Sequence, residues 1–395
     1  MGSGDGSTLR DEPWRDLPPM RLYDTARQAI VPFEPGRVVT MYTCGITPYD
    51  ATHIGHAATY LTYDVLQRRL RDRGHETRCV RNVTDVDDDI LRKARQLGVH
   101  YLDLAAAETA RFDADMEALD VLPCWSEPRA TSAIADIRGF IGMVLDRGHA
   151  YQSGGAVYFD VSSFERFGQI SHLSRDEMLR LAAERGGNPD DPNKRDPLDF
   201  VLWQPSAEGE PAWESLWGPG RPGWHIECSA LALRELDTTI DLHGGGSDLI
   251  FPHHECEAAQ SEAATGQRFV RHWMHQAMVR MGGEKMSKSL GNLVFVSDLL
   301  KSFDPRAIRL ACIQHHYRHS WEWTDDLMPE AAERLERWQA ATAAPASTAS
   351  DDTLSEVRAA LDDDLDTPRA VAAVDAAASR GESVGHASAL LGVEL

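Results

Sequence analysis

The stretch that most restricts the fold is the apolar run Arg37 to Thr43, which reads as a strand. It passes through the turn Cys44-Gly45-Ile46-Thr47-Pro48-Tyr49-Asp50 and enters His53-Ile54-Gly55-His56 at the start of a helical pattern. Leu61, Val65, Leu66 and Leu70 continue that pattern at helical spacing, and Gly74 stops it. Thr77 to Val83 reads as the next strand. Strand, helix and strand in this order make a right-handed crossover of a parallel sheet, and ligands gather beyond the carboxyl ends of its strands. The expected class is therefore α/β, with Cys44 to His56 and Thr84 to Asp89 at the binding edge.

A second segment, Lys285-Met286-Ser287-Lys288-Ser289, lies 229 residues beyond His56. Alone, a lysine-serine loop or an HxGH tetrapeptide is commonly a solvated surface. Together, in this order, they suit a triphosphate. Imidazoles at a helix start contact the phosphates, while Lys285 and Lys288 neutralise charge that builds on departing pyrophosphate. Gly282, Gly283 and Gly291 give such a loop the freedom to close and open.

Bulk properties narrow the choice of partners. A chain of 395 residues is long enough for a large domain plus a smaller one. No apolar run approaches the roughly 20 residues that cross a bilayer, and Met1 to Thr8 lacks the apolar core of a secretory signal, so a cytoplasmic protein is expected. The net charge of −22 argues against a tRNA partner, because phosphates are usually neutralised by Lys and Arg. The six cysteines (Cys44, Cys79, Cys124, Cys228, Cys256 and Cys312) read as reduced thiols in a chain of this size.

Along the chain, residues 1–36 read as leader and extended lead-in and 37–300 as a Rossmann-like nucleotide-binding domain interrupted by an inserted segment at about 115–220. Residues 301–395 read as a helical C-terminal region. Trp224 to Leu233, Thr238 to Leu242 and a strand from Trp273 to Met281 resume the nucleotide fold. Helices are expected over Arg306–His316, Pro329–Ala341, Leu354–Leu361 and Pro368–Ala378, with Ala340 to Ser350 a linker by composition. Asp85, Asp87, Asp88 and Asp89 read better as a solvated helix start than as a magnesium site.

Cys44, Cys228 and His253 are soft or borderline ligands placed near the carboxyl edge of the sheet, as zinc requires. The alternative is two buried cysteines and a histidine bonded to a carbonyl. With three protein ligands, a fourth position stays open to a substrate thiolate.

These motifs resemble the class I aminoacyl-tRNA synthetases, and from about Met20 to Pro368 the chain looks like the catalytic portion of a cysteinyl-tRNA synthetase. The resemblance rests on Cys44-Gly45-Ile46-Thr47, the HIGH tetrapeptide, Asn82-Val83-Thr84-Asp85-Val86-Asp87-Asp88, Lys194 to Asp199, Gly220 to Cys228, Gly244 to Asp248, Phe251 to Glu255 and the KMSKS loop. It implies zinc on Cys44, Cys228, His253 and Glu257, which selects cysteine over serine through sulfur. It further implies a cysteine pocket at Thr47, Thr84 and Trp224. ATP and adenylate contacts would come from Gly55, Gly244, Gly246, Ser247, Asp248, Val279, Ser287 and Ser289, with Asp248 on the ribose, and Mg-ATP is the expected substrate. Catalytic roles fall to His53, His56, Lys285 and Lys288.

A nearer resemblance is to a related family, the mycothiol cysteine ligases, which join L-cysteine to the amine of glucosaminyl-inositol. It rests on Cys44 to His53, on Ala57-Ala58-Thr59-Tyr60, on Ala183 to Pro189, and on the ending Leu390 to Leu395 with no anticodon-reading module after it. Glu257 and Gln260-Ser261-Glu262 depart toward the synthetases, since the ligases tend to carry a small uncharged residue at the position of Glu257. The implied reaction is activation of L-cysteine as cysteinyl-adenylate, then amide formation with an amino sugar and release of AMP, by a monomer with small-molecule partners. Rival readings are a cysteinyl-tRNA synthetase, a paralogue acting on another amine, and a catalytically dead binding protein. The last predicts eroded ATP motifs, and here both are intact.

Overall fold

The structure, a computed structural model, describes residue 14 and residues 17–286, 291–344 and 351–395. The lead-in is a hairpin, β1 (Met20–Asp24) paired antiparallel with β2 (Ala29–Phe33). Next come β3 (Val38–Ile46), α1 (Ile54–Asp72) and β4 (Glu76–Val83), the crossover expected from the sequence, with β3 and β4 parallel. Helices α2 (Asp88–Leu97), α3 (Tyr101–Ala118) and α4 (Ile134–Asp146) follow. The chain then builds an antiparallel sheet in the order β5 (Ala150–Ser153), β6 (Ala156–Phe159), β7 (Phe200–Gln204), β8 (Arg221–Pro222), with α5 (Arg175–Glu184) in the long β6–β7 connection. It rejoins the parallel sheet through α6 (Trp224–Glu235), β9 (Ile240–Gly246), α7 (Glu255–Thr265) and β10 (Val270–Gln276), giving the strand order β10–β9–β3–β4.

The span Trp273 to Met281, expected as one strand, is two. β10 ends at Gln276, and β11 (Val279–Met281) leaves the parallel sheet. The Ala277 N–H donates to the Tyr317 carbonyl at 2.7 Å, which turns the chain out of the sheet. β11 then forms a hairpin with β12 (Glu284–Lys285) that carries the lysine loop. Beyond the loop lie α8 (Val296–Leu299), α9 (Pro305–Ile313), α10 (Leu327–Ala343), α11 (Asp351–Asp362), α12 (Thr367–Ser379) and α13 (Gly385–Leu390), so the helical C-terminal region is present. The expected linker begins as helix, because α10 runs through Ala343, and its residues 345–350 lie outside the described ones. Among the described residues no helix is long and apolar enough to cross a membrane.

Strand alternation decides what faces the site. In β3, Val39 and Met41 join the core beneath α1 and the C-terminal helices, whereas Tyr42 and Cys44 join the core formed by α4, α6 and α7. Period-two geometry thus turns Cys44 toward the helices that carry Cys228 and Glu257. Asn82 has the parity of Val80 on β4, which joins that same second core.

The aspartate run is the helix start expected of it, but it is not solvated throughout: Asp88 is exposed, whereas Asp85 is buried. Asp87 is the N-cap of α2 and accepts from the Ile90 N–H at 2.9 Å, while Asp85 is buried and accepts from the Thr131 N–H and hydroxyl. A carboxylate at this end satisfies an orphan N–H and complements the helix dipole.

Candidate active site and metal centre

Cys44, Cys228, His253 and Glu257 are all buried, and their ligand atoms lie within 4.8 Å of one another. Cys44 comes from the end of β3 and Cys228 from the second turn of α6. His253 comes from the turn before α7, and Glu257 from the first turn of α7. Glu257 Oε1 lies 3.0 Å from His253 Nε2 and 3.5 Å from Cys44 Sγ. His253 Nδ1 is 2.8 Å from His225 Nδ1, and the ring stacks on Trp224 with centroids 4.2 Å apart. For Nε2 to be free as a ligand, Nδ1 must carry the proton and donate it to His225, the outer partner a metal-bound imidazole requires.

Two sulfurs, one imidazole nitrogen and one carboxylate oxygen at this spacing form a donor set that fits zinc. The electrostatics fit a cation as well. Burial pushes the Cys44 thiol well above its usual range, and the neighbouring Cys228 and Glu257 push it further. Burial drives His253 well below the usual imidazole range and lowers His225 to about 3. Buried thiols and neutral imidazoles resist ionisation by themselves, and a divalent cation reverses that preference for the thiols.

A second layer of histidines surrounds the donors and was not singled out in the sequence. His243 Nε2 meets Glu257 Oε2 at 3.0 Å, and His254 Nε2 lies 3.2 Å from Cys44 Sγ. His275 links His254 to the Thr25 hydroxyl. Cys44, His243, His254 and Glu257 make an overlapping donor group that shares Cys44 and Glu257 with the first. The only sequence signal for this layer was the density of histidines at the ends of β9 and β10.

The residues expected to hold nucleotide lie at the same sheet edge. His53 is the N-cap of α1; its Nδ1 accepts from the Gly55 N–H at 3.1 Å, and its ring stacks on His56 at 3.8 Å. A side chain at Gly55 would meet the His53 ring at 2.9 Å. The helix start is stapled to the segment beyond the lysine loop, through Ile54 N–H to Val294 O at 2.8 Å and Val296 N–H to Thr52 O at 3.0 Å. Lys285 Nζ pairs with Asp248 Oδ2 at 2.9 Å. Asp248 follows the glycine turn at the end of β9, where a Cβ on Gly244 would fall 2.2 Å from the Tyr63 hydroxyl. Val279 is buried on β11 and its carbonyl accepts from the Met286 N–H at 3.3 Å.

Of the other expected residues, Thr47 donates to Asp87 Oδ2 at 3.3 Å, and Thr84 is buried beside Asn82. Gly246 and Ser247 lie at the β9 turn. Ser287, Lys288 and Ser289 lie outside the described residues.

The sheet and its edge are those of a class I synthetase catalytic domain. The family of tRNA synthetases class I (C) catalytic domain matches residues 30–333. Solved structures agree on the fold. A Mycobacterium tuberculosis methionyl-tRNA synthetase in complex with methionyl-adenylate is 18% identical with a TM-score of 0.61, covering 90% of this chain and 82% of that one. A leucyl-type enzyme from Agrobacterium radiobacter, in a ternary complex with tRNA, is 12% identical with a TM-score of 0.62, covering 91% and 83%.

Among curated proteins, the L-cysteine:1D-myo-inositol 2-amino-2-deoxy-alpha-D-glucopyranoside ligase of Streptosporangium roseum is 48% identical over 95% of this chain and 96% of its own length. Those of Parafrankia sp. and Thermobispora bispora are 52% and 50% identical, over 94% and 95% of this chain and 83% and 96% of their own lengths. The chain belongs to this family of mycothiol cysteine ligases, within the class I aminoacyl-tRNA synthetases.

Proposed function

We propose that the chain is an ATP-dependent, AMP-forming ligase that joins L-cysteine to the amine of glucosaminyl-inositol. The observation that carries the chemistry is the cluster of Cys44, Cys228, His253 and Glu257 at the sheet edge that also presents His53, Asp248 and Lys285. Relatives about half identical over nine-tenths of the chain supply the choice of acceptor. Cys44, Cys228 and His253, with Glu257 in reach as a fourth donor, would hold one zinc ion, which when bound supplies a soft acceptor for the substrate thiolate.

In the first step a cysteine carboxylate oxygen attacks the ATP α-phosphorus, and the bond to the pyrophosphate oxygen breaks. His53 and His56 contact the phosphates, Lys285 and Lys288 take up charge on the leaving group, and Asp248 holds the ribose hydroxyls. The Lys285–Asp248 pair must therefore part when nucleotide binds. Thr47, Thr84 and Trp224 line the cysteine pocket. In the second step the neutral acceptor amine attacks the adenylate carbonyl, forms the amide, loses a proton and expels AMP. Magnesium enters with ATP, bound mostly by its phosphates.

The test is an acceptor comparison. Protein, ATP and cysteine are incubated with glucosaminyl-inositol, with tRNA, or with neither. Stoichiometric AMP and amide with the amino sugar alone support the reading, while cysteine-dependent charging of tRNA replaces it with the synthetase alternative.

A further inference from the structure

The two oxygens of Glu257 are divided between two sets of donors. Oε1 lies 3.0 Å from His253 Nε2 and 3.5 Å from Cys44 Sγ, while Oε2 lies 3.0 Å from His243 Nε2. His254 Nε2 stands 3.2 Å from Cys44 Sγ and 4.0 Å from Glu257 Oε1. The donor atoms of Cys44, His243, His254 and Glu257 thus lie within 4.8 Å of one another, as do those of Cys44, Cys228, His253 and Glu257. All six side chains are buried. Donors around a tetrahedral zinc ion stand about 3.3–3.8 Å apart, so either set closes on an ion through small side-chain movements.

The second set also has the outer support a metal-bound imidazole requires. His254 Nδ1 is 2.7 Å from His275 Nε2, and His275 Nδ1 is 2.7 Å from the Thr25 hydroxyl. With a proton on each Nδ1, both rings donate outward and His254 Nε2 keeps its lone pair for a ligand bond. His243 is fully buried, and among the described residues its Nδ1 has no hydrogen-bond partner. The protein by itself leaves this ring unsatisfied, which buried polar groups rarely are.

We propose that Cys44, His243, His254 and Glu257 form a second zinc site, sharing Cys44 Sγ and the Glu257 carboxylate with the first, and that filling it shuts the cysteine site. A carboxylate with one oxygen toward each histidine set is arranged as a bridge, and paired ions about 3.5–4 Å apart are held in this way. As a bridge, Glu257 completes four protein ligands on the first ion and takes the position the substrate thiolate needs. Excess zinc is then an inhibitor competitive with cysteine. The inference rests on the zinc assignment above and goes beyond it, by giving His243 and His254 a ligand of their own.

The test begins with metal-free protein titrated with zinc by calorimetry, the content checked by elemental analysis. Wild type should take one tight and one weaker equivalent, and His243→Gln and His254→Gln should each keep the first and lose the second. ATP–pyrophosphate exchange is then followed with free zinc set by a metal buffer. At free zinc about ten times the second-site dissociation constant, KM for cysteine in wild type should rise about elevenfold with kcat unchanged. His243→Gln should exchange at that zinc level as fast as it does itself at low zinc.

A single tight equivalent in wild type would overturn the second site and leave the first standing, whereas no tight equivalent would refute the zinc assignment itself. A second equivalent that survives in both histidine variants lies elsewhere and would also overturn the proposal. So would full exchange by wild type with two equivalents bound. Should neither histidine variant fold, cobalt titration of wild type makes the distinction. Two cobalt ions sharing a thiolate are magnetically coupled, so the paramagnetic resonance signal of the first should shrink as the second binds. Additive signals would contradict a shared Cys44.

Discussion

Gly244→Ala offers the strictest test of how the fold builds the proposed nucleotide edge. Gly244 stands at the end of β9, and a Cβ there would lie 2.2 Å from the Tyr63 hydroxyl, 2.4 Å from Cζ and 2.6 Å from Cε1. The ring is buried and cannot swing into solvent. Its hydroxyl donates to the Met274 carbonyl at 2.7 Å or the Gly245 carbonyl at 3.1 Å, and accepts from the Gly245 N–H at 2.7 Å. Displacing it breaks bonds worth about 1 kcal/mol each net, and overpacking adds about 1–3 kcal/mol. The sum is about 3–5 kcal/mol of stability, measured by urea unfolding.

Because Gly245, Gly246 and Asp248 move with the turn, KM for ATP in pyrophosphate exchange should rise in any fraction that folds. Replacing the ring removes the clash, so in a Tyr63→Leu background Gly244→Ala should cost less than about 1 kcal/mol more. A neutral Gly244→Ala, or an equal cost in both backgrounds, would refute the reasoning.

Three further outcomes are expected. Cys228→Ala should abolish tight zinc binding, read by elemental analysis of the purified protein, and sharply raise the cysteine requirement; full metal content in that variant contradicts the ligand assignment. Lys285→Gln should slow pyrophosphate exchange about a hundredfold, as loss of one charge-stabilising group does, and an unchanged rate removes Lys285 from the chemistry. Asp87 gives a pH dependence of stability. Burial raises its carboxyl to about 6 from an ordinary 3.8; Asp89 and Asp88 push the same way, while bonds from Ile90 and Thr47 oppose. The fold therefore prefers the protonated form, and this contribution is fully present below pH 3.8 and lost as pH rises through about 6. It is worth at most about 3 kcal/mol. Asp87→Asn keeps a competent N-cap, so unfolding free energy should fall less between pH 4 and pH 7 in the variant than in wild type. Parallel profiles would show that the Asp87 carboxyl is not held protonated.

The crossover at the heart of the sheet was legible because its determinants are local. The apolar run in Arg37–Thr43, the helical spacing of Leu61 to Leu70 and the stop at Gly74 each act within a few residues. Cys44, Cys228 and His253 were legible as candidate ligands from their residue types, Glu257 only through the family resemblance, and the fold brings the four into one cluster. What stayed hidden depends on pairing between distant segments. Asn82 meets Gly45 only because β3 and β4 are adjacent and parallel, and His243 reaches Glu257 only after β9 and α7 pack. The antiparallel sheet β5–β8 was missed because its strands are two to five residues long and, apart from the Gly154-Gly155 turn between β5 and β6, are separated by long connections. The break between β10 and β11 is imposed by Tyr317, 40 residues after Ala277, and nothing near Ala277 announces it.

The central claim, that a metal-bearing pocket recognises sulfur before the amino acid is activated, is tested most directly by pyrophosphate exchange with cysteine and with serine on zinc-loaded protein. Brisk exchange with cysteine, and exchange with serine lower by orders of magnitude in kcat/KM, is the predicted result. Comparable exchange with the two amino acids would contradict it.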